Sequence, residues 1–164
     1  MNIELKKIDY SARLSEETMC FKAEIWVDGV KAGTASCHGH GDPVLISPRN
    51  LVELMNNHAK TLPRREFGEG HSLEMDAEMI VNGLMDDWLI MKDMKKAFAK
   101  KLLFTVPGRT GVFEIKRSPQ INLLLQRGED GASAIIKRIG AEKLLNIIPE
   151  NDAFSIYKSA VTRG

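Results

Sequence analysis

Asp28-Gly29 constrains this chain more than any other pair of residues. It stands between two apolar segments, Phe21 to Val27 and Val30 to Ala35. An Asp-Gly pair in that setting is the strongest short-range signal for a β-hairpin with a two-residue turn. On the first segment Phe21, Ala23, Ile25 and Val27 alternate with Lys22, Glu24 and Trp26, the period of a strand with one buried face. A two-residue loop sets Val27 opposite Val30, Ile25 opposite Ala32 and, continued outward, Cys20 opposite Cys37. Counting from the turn makes the cysteines a non-hydrogen-bonded pair, with Cα atoms about 4.5 Å apart. The two thiols are therefore expected as neighbours on the face that carries Trp26.

The rest of the chain orders itself around that hairpin. Ile3 and Leu5 alternate with polar neighbours as a short first strand, and Arg13 to Thr18 is a polar connector. Val44-Leu45-Ile46 leads into a helix that Ser47 is expected to cap and Pro48 to open. Leu51, Leu54, Met55 and His58 mark one face of it, and Leu62-Pro63 ends it. Arg64 to Gly70 reads as a loop, after which Ser72 is expected to cap a long helix reaching Lys101. Met75, Met79, Leu84, Trp88, Met91, Met94 and Phe98 form its core-facing stripe, and Gly83 marks a bend or a close helix contact. Leu102 to Val106 and Val112 to Lys116 predict a second hairpin around Pro107-Gly108-Arg109-Thr110. Ser118-Pro119 starts a helix that Gly128 closes. A further helix runs through Ile139, interrupted by Gly140 before Ala141 to Asn146, and Pro149 precedes a last amphipathic helix. Strands, two helices, a hairpin and then helices is the segregated order of an α+β fold: an N-terminal antiparallel hairpin sheet, a long central helix, a second hairpin and C-terminal helices in one domain over residues 1–164.

A chain of 164 residues buries roughly 70% of its unfolded surface, so its core needs neither metal nor disulfide. With 23 basic and 22 acidic side chains the formal charge is +1. Such balance predicts no whole-molecule field for nucleic acid or membrane, so that electrostatic recognition is local. No run approaches the ~20 apolar residues of a membrane span. Met1 to Lys7 lacks the apolar stretch of a signal peptide. These features place the protein in a reducing cytoplasm without a membrane partner, and two cysteines make no disulfide framework.

Two places could carry chemistry. In a strand-like Cys37-His38-Gly39-His40-Gly41-Asp42, His38 and His40 project to one side and Asp42 follows two residues on. Imidazole with carboxylate suits a transition metal. The His-x-His-x-Asp spacing resembles the start of the metallo-β-lactamase superfamily's metal motif, although Pro43 stands where that motif has its next histidine. A small metal-dependent hydrolase using His38, His40 and Asp42 is accordingly one alternative. A different ligand set joins Cys20, Cys37 and His40 through the hairpin register, and either set needs His58 or His71 to complete it. The preferred reading is a glycine-rich loop with reduced thiols and no cofactor.

The second place is the long helix. Lys92, Lys96 and Lys100 stand four residues apart and share a face, with Lys95 and Lys101 beside them and Arg109, Lys116 and Arg117 on the following hairpin. They are the candidate partner-binding residues, fitting an acidic protein surface first and nucleic-acid phosphates as a second alternative. Against nucleic acid, no aromatics interleave for base stacking, and Asp86, Asp87 and Asp93 dilute the charge. Methionines at helical spacing are expected in the core. Trp26, on the polar hairpin face, is covered by a helix or serves as a partner anchor. The sequence contains no Gly-x-Ser-x-Gly elbow, Walker loop or Gly-x-Gly-x-x-Gly after a strand.

One resemblance adds context. Leu14-Ser15-Glu16-Glu17-Thr18, then Phe21 and Ala23, then Val27-Asp28-Gly29 and Gly33, together with Thr61-Leu62-Pro63 and Lys100-Lys101-Leu102-Leu103-Phe104, resemble a family of small proteins found in bacterial genomes, phages and other mobile elements. The resemblance covers about the first two-thirds of the chain. It departs in the glycine-rich stretch, where His38 and Asp42 replace Asn and Gly, so the extra ligands are no family property. It carries no activity and no site residues. What it implies is a small accessory protein borne by a phage or prophage. The leading expectation is a non-catalytic interaction protein that binds and modulates a host or defence complex.

Overall fold

The computed structural model describes residues 1–66, 68 and 70–162. Its contacts gather into two compact units, Met1–Asp86 and Asp87–Gly164, so the single stretch read from the sequence holds two centres of contact. The fold class is α+β.

In the first unit β1 (Ile3–Tyr10), β2 (Cys20–Val27), β3 (Val30–His38) and β4 (Leu45–Ser47) form an antiparallel sheet in that order. A 3-10 turn over Ala12–Leu14 joins the first two strands. Asp28 and Gly29 take φ of 48° and 81°, the left-handed pair of a type I′ turn, and Val27 faces Val30 as expected. Beyond that the register differs from the expectation. A shift at Ala32 places Ile25 opposite Gly33, Phe21 opposite Cys37 and Cys20 opposite His38. Side chains alternate along a strand, so a one-residue slip sends Cys20 and Cys37 to opposite faces. The cause lies outside the hairpin: a Cβ at position 33 would overlap the Ser47 carbonyl oxygen and crowd the Leu51 side chain. The slip puts a glycine where β4 and the following helix close on the sheet.

That helix, α1 (Arg49–Ala59), starts one residue later than expected and has no side-chain cap. Ser47 belongs to β4, paired with Thr34, and its peptide bond to Pro48 is cis. Two-residue strands β5 (Arg65–Glu66) and β6 (Ser72–Leu73) pair next; Phe67 and Glu69 of the expected loop lie outside the described residues. Ser72 sits in β6, so α2 (Ala77–Lys100) begins later than read from the sequence. Asp76 caps it by accepting the Met79 N–H at 2.7 Å, and the Asn56 side chain of α1 accepts the Ala77 N–H at 2.8 Å. Outside its chain neighbours and the backbone of its own helix, no described atom lies within 4 Å of a Cβ placed at Gly83, so Gly83 is no close helix contact. Phe21, Ala23, Ile25, Ala35 and Cys37 from the sheet are buried, as are Leu51, Met55 and Ala59 of α1 and Ala77, Val81 and Met85 of α2.

The opposite sheet face is polar and organised on Glu24, whose side chain is 14% exposed. It accepts from Lys31 Nζ at 2.7 Å, Lys7 Nζ at 3.1 Å and Trp26 Nε1 at 3.2 Å, and Lys6 lies 4.2 Å above the Trp26 ring. Trp26 is therefore fastened to charged neighbours on its own sheet. The hydrogen bond from Lys31, then that from Lys7, hold the Glu24 carboxyl down to about 2. A carboxyl depressed below its ordinary value of 4.5 stabilises the fold at higher pH and loses that contribution as pH falls toward 2. Glu24→Gln is therefore expected to flatten the decline of unfolding free energy through that acid window, read by urea titrations at stepped pH. An unchanged slope would refute the hub.

In the second unit β7 (Lys101–Val106) is the middle strand of a sheet ordered β8-β7-β9, with β8 (Arg109–Lys116) on one side. α3 (Pro119–Leu125), α4 (Glu129–Ile139), β9 (Lys143–Leu144) and α5 (Glu150–Val161) follow. Ser118 caps α3 through the Ile121 N–H at 3.3 Å, with Pro119 in the first turn, and Gly140 ends α4 in the left-handed region. Because β7 is covered on both faces, Leu102, Leu103 and Phe104 are buried in succession. Leu102 and Phe104 pack with Ala132, Ile135 and Leu144 beneath α3 and α4. Leu103 packs with Met94, Leu145 and Ala153 beneath α2 and α5. Ala141 to Asn146, read as helical, contains β9 instead. The Asn146 side chain extends that pairing, accepting the Leu103 N–H at 2.8 Å and donating to the Lys101 carbonyl at 3.0 Å. No helix among the described residues is long and apolar enough to cross a membrane.

Candidate functional site

The histidine stretch comes together as architecture. β3 ends at His38, and Gly39 and Gly41 take φ of 92° and 86°. The alternation that would align His38, His40 and Asp42 is broken at both glycines. His38 is exposed at the strand end opposite Cys20, whereas His40 turns to Glu16, Nδ1 to Oε2 at 3.2 Å. The Gly39 carbonyl accepts the N–H groups of Glu16, Glu17 and Thr18 at 3.0, 3.0 and 3.3 Å. Gly41 donates to the Thr18 hydroxyl at 3.2 Å, that hydroxyl lies 3.2 Å from the Cys37 sulfur, and the Cys37 thiol donates to the Asp42 carbonyl at 3.4 Å. The Leu-Ser-Glu-Glu-Thr segment and the glycine-rich bend are thus stitched to each other.

Neither expected ligand set is assembled. The register slip separates Cys20 from Cys37, both thiols are free, and His58 lies on α1 while His71 is exposed beyond β5. Among the described residues no three His, Cys, Asp or Glu side chains converge to hold a metal ion.

The lysines sort differently. On α2 the residues facing the core are Met91, Met94, Ala97 and Phe98, which leaves Lys92, Lys96 and Lys100 on the exposed side. Lys95 is tied to Glu150 at 3.0 Å and Lys101 to Glu114. Lys96, Lys100 and Lys116 form no ion pair among the described residues, and Lys92 stacks 4.7 Å from the Trp88 ring. Lys116 joins this group because the Arg117 N–H donates to the Lys100 carbonyl at 3.0 Å, bringing the end of β8 to the end of α2. The Arg117 guanidinium donates to the Phe98 carbonyl at 3.0 Å and to Asn122 at 2.8 Å. It closes the C-terminus of α2, where carbonyls lack helical partners. Arg109 stands apart: it pairs with Val106 at the far end of the hairpin, about 16 Å along the strand from Lys101, its guanidinium 4.6 Å from the Phe113 ring. The field is not uniformly positive. Burial, then the carboxylates of Asp93 and Glu114, raise the Tyr157 hydroxyl above its ordinary value, with Lys101 opposing.

One signal was missed because it needs the unit boundary. Asp87–Gly164 carries 14 basic and 8 acidic side chains, Met1–Asp86 9 basic and 14 acidic. The balanced total conceals a basic C-terminal unit and an acidic N-terminal one, and Arg127, Lys137, Arg138 and Lys143 belong to the former. A cleft of about 610 Å³ in this unit is lined by Thr105, Thr110, Glu142, Ser155 and Ser159. Thr105 donates to Glu142 at 3.4 Å and Ser155 to the Asn151 carbonyl at 2.9 Å, so these two hydroxyls are engaged locally.

Compared with protein-family models, curated proteins and solved structures, the chain matches none.

Proposed function

We propose that this chain is a non-catalytic interaction protein, an accessory protein of phage or mobile-element type that docks on an acidic protein surface of a host or defence complex and modulates it. The observation that carries the reading is the exposed row Lys92, Lys96 and Lys100, extended by Lys116, in which Lys96, Lys100 and Lys116 lack a neutralising acid among the described residues. A surface that keeps unpaired charge while its neighbours are paired favours steering and orientation of an opposite charge over self-stabilisation. The accessory context rests on the resemblance of the Leu14 to Gly33 segment. Lys92→Glu/Lys96→Glu/Lys100→Glu is expected to lose at least ~10-fold in capture of its partner from host lysate, with an unchanged melting temperature because the side chains face solvent. Retention of the partner by that variant removes the lysine face from the function.

A further inference from the structure

We propose that the partner meets the lysine row with an acidic α-helix whose carboxylates recur at every fourth residue, laid along the C-terminal half of α2. The inference rests on the interaction reading above and names the element recognised. Lysines four apart on one helix are about 6 Å apart along its axis. Glutamates or aspartates at every fourth position of a second helix repeat at the same rise, so carboxylates fall opposite Lys96 and Lys100 in register without bending either backbone. Ala99, small and exposed between Lys96 and Lys100, lets a neighbouring helix approach closely. The half-buried Trp88 ring lies beneath Lys92 at the other end of the row.

The acids among the lysines choose between a helix and nucleic acid. Asp93 is exposed beside Lys92, Glu150 is paired with Lys95, and Glu114 is paired with Lys101. Along a duplex axis the phosphates of one strand follow each other at about 3.4 Å, so a duplex laid along the row brings phosphates against these carboxylates as well as against the lysines. A helix places a neutral or basic side chain opposite each of them. The guanidinium nearest the row, Arg117, is engaged with Phe98 and Asn122 and so is not presented as a phosphate fork.

The test titrates the full isotope-labelled chain, at low salt, with three probes followed by amide shifts. One is an alanine-based helical peptide with glutamate at every fourth position. The second is its isomer of equal composition with the glutamates spaced off that row, and the third is a short DNA duplex. The patterned peptide is expected to bind roughly tenfold tighter than its isomer, shifting amides from Trp88 to Lys101, and Lys96→Glu/Lys100→Glu is expected to abolish the difference. Equal affinity of the two peptides, absence of binding by both, or tighter binding of the duplex each overturns the helix. If the triple lysine variant nevertheless loses its natural partner in lysate, the docking face stands and only the helical partner falls. If that variant keeps its partner, both fall.

Discussion

Gly39→Ala is expected to destabilise the protein by about 3–6 kcal/mol, a large part of the 5–15 kcal/mol that holds a typical domain together. Three effects add. Gly39 has φ of 92°, and a left-handed backbone costs an L-residue about 1–2 kcal/mol. A Cβ there would overlap the Leu14 carbonyl oxygen and lie 2.9 Å from the Cys20 Cβ. Neither neighbour is the end of a flexible side chain, so backbone must move, at about 1–3 kcal/mol. The movement displaces the Gly39 carbonyl, which accepts three N–H groups from Glu16, Glu17 and Thr18. These segments are partly exposed and water replaces some of that bonding, so the loss is about 1 kcal/mol in total. Denaturant titration reads the sum; a loss under about 1 kcal/mol would show that the bend yields freely. His40→Ala is the contrast, since His40 makes an exposed pair with Glu16, and its effect is expected within about 0.5 kcal/mol. A chain that tolerated Gly39→Ala and suffered from His40→Ala would owe its bend to the imidazole.

What the sequence disclosed and what it withheld follow one division, between local and distant causes. The Asp28-Gly29 turn, the Ser118-Pro119 helix start and the Gly140 stop are decided within a few residues and were legible. The hairpin register was not, because its slip at Ala32 is selected by Ser47 and Leu51 closing over Gly33. The start of α2 was misplaced at Ser72 because Asp76 and, from another helix, Asn56 satisfy its first N–H groups. In the first half of α2 the buried row is Ala77, Val81 and Met85, a four-residue step with a small residue that the larger methionines outweighed in the pattern. β9 is two residues long and exists only because β7 pairs with it, a pairing that the Asn146 amide extends along β7. The lysine spacing could be read directly. Which lysines are neutralised could not, since Glu150 and Glu114 reach them from other elements.

The same glycine-to-alanine change is expected to have opposite signs in two helices, and Gly131 shows why. Alanine is favoured over glycine in a helix interior by about 1 kcal/mol. At Gly83 of α2 no described atom beyond its chain neighbours and its own helix backbone lies within 4 Å of the added Cβ, so Gly83→Ala is expected to gain about 0.5–1 kcal/mol. At Gly131, buried in the first turn of α4, the Cβ would overlap the Leu124 carbonyl oxygen and sit 3.2 Å from the Arg127 Cβ. Both sides of that clash are held. The Leu124 carbonyl accepts the Arg127 N–H at 2.9 Å, and the Ala132 N–H donates to the Gly128 carbonyl at 3.0 Å. Relief therefore requires α3 to move off α4, loosening Ile121, Leu124 and Leu125 from the core around Ala132 and Ile135. Disturbing packed side chains in that way costs about 1–3 kcal/mol, to which the misplaced turn hydrogen bonds add about 1 kcal/mol. After the propensity gain, Gly131→Ala is expected to lose about 2 kcal/mol net. Parallel denaturant titrations of the two variants decide it: if Gly131→Ala gains as much as Gly83→Ala, the approach of the α3 carbonyl to α4 places no constraint on that position.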